Sequence, residues 1–395
     1  MDLERLARAR AALATAGLDA LVCRLPENVL LLSGYWPLIG LSFLYFPVAG
    51  KPLVVLPRSE EREAAQELWE ADTVTFLTGI LGSEDPHQAV GAALRERLGR
   101  AGPRRVGYEG SFESVAPPWN AGEPAVPAAA TRALLASVFE EERLVDATDV
   151  LHALRARKTR AEQDKLRVAN QIASIGLEAF LSGAEVGRSG VELVARVESA
   201  VAIGGVRMGG ARRVRAFAQV STGAEETAVA YRPMVISTSR RMEPGELAVL
   251  ELGVVADGFW ADRTRVRVVG RPTDVQRRAF AAVAAAQKAA IAAVKPEVTA
   301  GEVDAAARGV VRSAGYDREF PHVTGHGIGF RYHEPTPLIC PGGGTLLEEG
   351  MVHSVEPGIY LPGMGGVRLE EDVLVTTGGA EVLGPCRNEL EGRGA

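Results

Sequence analysis

Between His322 and Glu334 the chain reads His-Val-Thr-Gly-His-Gly-Ile-Gly-Phe-Arg-Tyr-His-Glu, and no other stretch limits its local backbone as much. His322 and His326 stand four residues apart, the separation that puts two side chains on one face of a helix. Gly325, Gly327 and Gly329 argue against that helix, because each costs about 1 kcal/mol relative to alanine in a helix interior. No glutamate follows the first histidine, as it does in zinc-protease helices. The stretch therefore predicts an extended strand or loop whose glycines let a ligand come close to the backbone. It holds three of the chain's six histidines. A single histidine is as readily structural as functional, so the case for a metal has to come from acids elsewhere.

Four acids supply it. Glu251 interrupts the apolar run Leu247 to Val255, and Asp262 follows Phe259-Trp260-Ala261. Glu356 lies within Met351 to Gly358, and Glu370 within Gly366 to Val375. Each run is rich in β-branched or aromatic residues and predicts a strand buried on at least one face. A carboxylate inside such a strand must be paired, protonated or bound to a cation. For one acid, an arginine partner or an outward position is the commoner answer. For four acids together with His326, a divalent metal cluster is the simplest, because the cation offsets the repulsion that would otherwise raise their pKa values.

These segments resemble the active-site motifs of the aminopeptidase P and prolidase family, the pita-bread metallopeptidases. The motifs are Ala-Asp-x-Thr-Arg at 261–265, Thr-Gly-His-Gly-Ile-Gly at 324–329, His-Glu at 333–334, Val-Glu-Pro-Gly-Ile-Tyr at 355–360 and Gly-Gly-Val-Arg-Leu-Glu at 365–370. The resemblance implies an N-terminal creatinase/prolidase-type α/β domain over 1–148 and an α+β pita-bread catalytic domain over 149–395. It implies two divalent ions, manganese, zinc or cobalt, held by Glu251, Asp262, His326, Glu356 and Glu370. Asp262 and Glu370 would bridge the ions, and a water between them would lose its proton near neutral pH to become the nucleophile. Glu356 would accept a proton. His322 and His333 would bind substrate and stabilise the oxyanion. Arg368 would orient a substrate carboxylate or backbone, or else pair with Glu370 or Glu371. The substrate would be a short peptide, cleaved as by an Xaa-Pro dipeptidase or aminopeptidase P, and the protein a homodimer.

Two positions depart from the family pattern. Glu251 stands where the family has aspartate, and its extra methylene points to a weaker second metal site. Ala230, in Thr227-Ala228-Val229-Ala230-Tyr231-Arg232-Pro233, stands where a substrate-placing histidine is usual. Two alternatives follow: a pita-bread peptidase with altered end-specificity, or a non-catalytic relative that only binds peptide or protein.

Composition narrows the rest. A chain of 395 residues with 47% hydrophobic residues suggests two domains with real cores. The net charge of −6 and scattered basic residues give no nucleic-acid footprint. Cys23, Cys340 and Cys386 form no Cys-x-x-Cys pair, which fits a reducing cytoplasm. The N-terminus lacks an apolar signal core, and the apolar stretch Val29 to Val48 is broken by Gly34, Pro37 and Gly40, so no membrane segment is expected. Leu3, Leu6, Ala7, Leu13 and Ala14 predict an amphipathic first helix, with Arg10 the non-apolar residue of its inner face. The first third then alternates strands and helices, with a loop over Pro117 to Pro127. In the last quarter, Val367 and Leu369 against Arg368 and Glu370 predict a half-buried sheet.

Overall fold

The structure is a computed structural model that describes residues 1–79, 82–99, 102–110, 129–232, 236–384 and 387–391. The loop expected over Pro117 to Pro127, and Cys386, lie outside the described residues. By contacts the chain forms two units that divide after Arg155.

The N-terminal unit is built on a six-stranded sheet of β1 (Ala20–Cys23), β2 (Phe43–Pro47), β3 (Leu53–Pro57), β4 (Asp72–Phe76), β5 (Val106–Tyr108) and β6 (Leu144–Asp146), in the order β4-β3-β2-β1-β5-β6. β1–β2 and β2–β3 are antiparallel and the other pairs parallel. The alternation read in the sequence thus yields an α/β layer. Its first helix, Leu3–Thr15, turns a different face inward from the one expected. Leu3 is 66% exposed, whereas Arg5 is fully buried and donates to the Leu154 carbonyl at 2.6 Å. Burying a guanidinium is tolerable where a carbonyl answers it. The helix Thr148–Ala156 is counted almost wholly with this unit, and Arg155 donates to Asn28.

The second unit repeats one arrangement. Helices Arg160–Gly183 and Gly190–Gly205 precede β7 (Val214–Thr222), β8 (Leu247–Ala256) and β9 (Phe259–Val268), an antiparallel sheet in that order. Helices Asp274–Ala293 and Ala300–Ser313 precede β10 (Gly325–Gly327), β11 (Glu334–Ile339), β12 (Val352–Val355), β13 (Gly358–Leu361), β14 (Gly365–Arg368), β15 (Glu371–Thr376) and β16 (Gly379–Val382). Here β11-β10-β12-β15-β16 form one sheet and β13-β14 a hairpin. All four helices begin with a capping box, at Thr159/Glu162, Ser189/Glu192, Thr273/Gln276 and Thr299/Glu302. Each cap satisfies amide groups that the helix itself leaves unpaired, and is worth about 1 kcal/mol. In both halves the cap of the second helix also forms an isolated antiparallel bridge, Ser189 to Arg241 and Thr299 to Leu346. This two-fold repetition of helix, helix and sheet is not visible as repeated sequence.

Two apolar cores follow the two halves. One gathers Leu177, Phe180, Val197 and Leu250, the other Val283, Ala286, Val303 and Val373. The expected half-buried sheet at 367–370 is buried on both faces: Arg368 and Glu370 are as enclosed as Val367 and Leu369. Their face is closed by the other acids and histidines. Among the described residues, no helix is long and apolar enough to cross a membrane.

Candidate metal centre

Strand periodicity brings the first two acids together. In the β8–β9 ladder Glu251 stands opposite Thr264 and Gly253 opposite Asp262. Side chains alternate along a strand, so Glu251, Gly253, Asp262 and Thr264 share one face. His326 is the middle residue of β10, Glu356 follows β12, and Glu370 lies between β14 and β15. The last two acids therefore sit at strand ends rather than within strands.

The glycines beside His326 serve the sheet. A Cβ on Gly325 would lie 2.0 Å from the Ser354 carbonyl oxygen, and one on Gly327 2.2 Å from that of Thr336. Neighbouring backbone, not a ligand, makes the close approach.

His326 Nδ1 lies 2.9 Å from the Gly327 carbonyl oxygen. A carbonyl can only accept, so Nδ1 carries the proton and Nε2 presents a lone pair. That lone pair faces Asp262 Oδ2 at 3.6 Å and Glu356 Oε1 at 3.5 Å. Three acceptors turned on one another need a cation or extra protons between them. Ligand atoms of Asp262, His326 and His333 lie within 4.8 Å of one another, and so do those of His326, Glu356 and Glu370. Two candidate metal-binding clusters sharing His326 therefore support a binuclear site. Glu370 Oε2 accepts from Thr264 at 2.7 Å, while its Oε1 is buried without a hydrogen-bond partner among the described residues.

Electrostatics agree with this fit. Burial, then the charge of Glu251, holds the Asp262 carboxyl well above the usual carboxylate range. Burial, then Asp262 and Glu356, does the same to Glu370. For Glu356 burial pulls upward, but the positive charge that His326 and His322 carry when protonated, with that of Arg368, outweighs it and the pKa falls. A cation would relieve the first two directly.

Glu251 stands apart. Among the described residues it belongs to neither cluster, and it pairs with the Arg368 guanidinium through Oε2, while Oε1 lies 3.3 Å from the Tyr332 hydroxyl. Arg368 thus pairs with an acid other than the Glu370 or Glu371 anticipated from sequence. It also donates to the Ala230 carbonyl at 2.9 Å and to Thr264 Oγ1 at 3.1 Å. Glu371 instead pairs with Arg263 and Arg265, all three buried.

His322 Nδ1 donates to the Val323 carbonyl at 2.8 Å, which leaves Nε2 to accept from the Tyr360 hydroxyl at 3.1 Å. Burial lowers its pKa and favours this neutral form. As placed, His322 holds Tyr360 and presents no free N–H to an oxyanion. The His333 ring packs edge-on 4.2 Å from that of His326.

Sequence reasoning missed the support beneath these acids. Asp372 Oδ2 accepts from the Asp262 amide at 3.1 Å and from Asn170 at 2.9 Å. Arg265 donates to the Glu370 carbonyl at 2.8 Å. The run Glu370-Glu371-Asp372 beside Arg263 and Arg265 was the available signal, but it reads equally as a solvated charge run.

Residues 164–377 match the family described as Metallopeptidase family M24, and residues 5–157 match Creatinase/Prolidase N-terminal domain. Over 242 residues the chain is 37% identical to the Xaa-Pro dipeptidase of Pyrococcus furiosus, an alignment covering 61% of this chain and 67% of that one. Its fold is similar to the prolidase of Pyrococcus horikoshii OT3, with a TM-score of 0.79 at 27% identity over 98% of this chain and 99% of the other. Dipeptidase PepE from Mycobacterium ulcerans is similar at a TM-score of 0.74 and 32% identity, over 98% and 96% of the two chains.

Proposed function

This chain belongs to metallopeptidase family M24, with its creatinase/prolidase N-terminal domain and pita-bread catalytic domain, and on that premise we propose that it hydrolyses short peptides at Xaa-Pro bonds. The observation that carries this reading is the His326 lone pair facing Asp262 and Glu356, with the bare Glu370 oxygen in the same group. Asp262, His326, Glu356 and Glu370 would hold two divalent ions, with Glu251 at the edge of the second position. Carboxylates with one imidazole suit manganese, cobalt or zinc better than a soft-ligand metal. When bound, such ions supply Lewis acidity and make a water acidic enough to act as the nucleophile near neutral pH.

The chain's own groups do the remaining work. Glu356, facing His326 Nε2 at 3.5 Å, is placed to take a proton from the attacking water. The same carboxyl can return that proton to the departing amine. His333, half-buried beside His326, is placed to steady the oxyanion. Arg368, His322 and Tyr360 form one hydrogen-bonded wall, on which the guanidinium can meet a substrate carboxylate. Tyr360 also lines an open cavity of about 460 Å³ with Ala228, Val229, Tyr231, Arg318 and Pro321, which adjoins this wall through Tyr360 alone among the residues named above. We infer a homodimer, and a cytoplasmic location in keeping with Cys23 and Cys340, which form no disulfide among the described residues.

A second reading is a dipeptidase of broader end-specificity. Ala230 favours it, since its carbonyl only anchors Arg368 and its side chain offers nothing to a proline. Manganese-loaded protein given alanylproline, alanylalanine and alanylprolylalanine separates the two. Chelator-sensitive release of proline from alanylproline, at least about tenfold faster than alanylalanine cleavage, is expected, which corresponds to about 1.4 kcal/mol of discrimination. Equal rates would favour the second reading. No hydrolysis of any of the three by metal-loaded protein would overturn both.

A further inference from the structure

Tyr332 has no part in the reaction described above, yet it touches two of the acids. Its side chain is 1% exposed and lies over Gly253, where a Cβ would come 2.7 Å from Cε2. The rings of Trp260 and His333 flank it at 5.6 and 4.6 Å. A ring so confined holds its hydroxyl at a fixed point. That hydroxyl lies 3.0 Å from Asp262 Oδ1 and 3.3 Å from Glu251 Oε1, so its single proton is shared between them, nearer the aspartate.

We propose that Tyr332 is the positioning residue of the second cation position. It ties Glu251 on β8 to Asp262 on β9 from the segment that leads into β11. Arg368 fixes the far oxygen of Glu251, and Tyr332 fixes the near one. Each carboxylate oxygen keeps a lone pair beyond the one the phenol takes, so the pair is held in register without the hydroxyl filling the cation's place. Asp262 Oδ2 is left toward His326. The hydroxyl therefore acts on one position and not on the cluster of His326, Glu356 and Glu370. This rests on the metallopeptidase reading.

The test is titration calorimetry with manganese(II) alone, on the natural full chain and on Tyr332→Phe. The phenylalanine keeps the ring, and a thermal melt of the metal-free variant checks that it folds. Manganese affinity at the weaker position should fall about 10- to 100-fold, the usual effect of removing a hydrogen-bond partner of a metal ligand. The tighter position should keep its affinity. In a Glu251→Gln background the same Tyr332→Phe change should cost distinctly less, because the two residues act as a unit; full additivity would overturn the proposal. Equal weakening of both positions, no change, or a tightened second position would overturn it too, the last by showing that the hydroxyl occupies the cation's place. A natural chain that bound no manganese would overturn the metallopeptidase reading with it.

Discussion

At one end of the acid cluster, His326, Glu356 and Glu370 face each other, and the side-chain donors to the two acids are the hydroxyls of Ser354 and Thr264. Among the described residues Glu370 Oε1 accepts no hydrogen bond, and His326 Nε2 confronts two carboxylates. At the other end, Glu251 is held by Arg368 at one oxygen and Tyr332 at the other. One end places its acids at strand ends and the other within strands, both in an enclosed site. The difference is that the Arg368 guanidinium already answers the charge of Glu251, while Glu370, among the described residues, receives only the Thr264 hydroxyl at one oxygen and no hydrogen bond at the other. A cation gains most where it relieves an unanswered charge and least where it must compete with a guanidinium. The two cation positions should therefore differ in affinity.

The largest effect should come from His326→Ala, because His326 belongs to both clusters. Metal content should fall at both positions, and turnover by about a thousandfold or more, roughly 4 kcal/mol of barrier. Elemental analysis and steady-state kinetics check it. Metal retained at both positions would break the comparison at its shared point.

His333→Ala should lower turnover by about 100-fold, the scale of losing one oxyanion donor, and leave metal content unchanged. The structure sharpens this test, since His333 ligand atoms lie within 4.8 Å of those of Asp262 and His326. Metal lost with turnover would move His333 from substrate to cation.

Glu251→Asp shortens the side chain, draws it away from Arg368 and leaves fewer rotamers to order. The second position should tighten by roughly tenfold, worth about 1.4 kcal/mol. Calorimetry on both proteins decides it, and a weakened site would mean that the backbone has adjusted to glutamate.

The smallest effect is in protons. Asp262 and Glu370 have raised pKa values, so their folded forms retain protons to higher pH than free carboxyls. Cation binding must drive those protons off, with a release of up to about one per ion that grows as pH falls. Titrations in buffers of different ionisation enthalpy measure it; no release at any pH would mean that these carboxyls are already ionised.

How much of this was legible in the sequence depended on range. Glu251, Asp262, His326, Glu356 and Glu370 could be singled out because each interrupts an apolar run or sits in a recognisable motif. Helix ends were legible because capping is local, as Thr159 with Glu162 shows. What failed needed a partner distant in the chain. Arg5 is buried where Leu3 was expected, because the Leu154 carbonyl waits for it. Arg368 and Glu370 looked like an outer face, but Glu251 and Thr264 lie across from them. Tyr332 gave no sign at all, since an aromatic before a histidine reads as core until Gly253 and Asp262 are seen beneath it.

Inequality of the two cation positions is tested most directly by metal-free natural protein titrated with manganese, with bound ion measured by elemental analysis at each free concentration. Uptake in two steps is expected, the first ion retained through dialysis and the second lost, with full hydrolysis of alanylproline only after the second step. Uptake of two equally tight ions in a single step, or full activity with one ion bound, would contradict it.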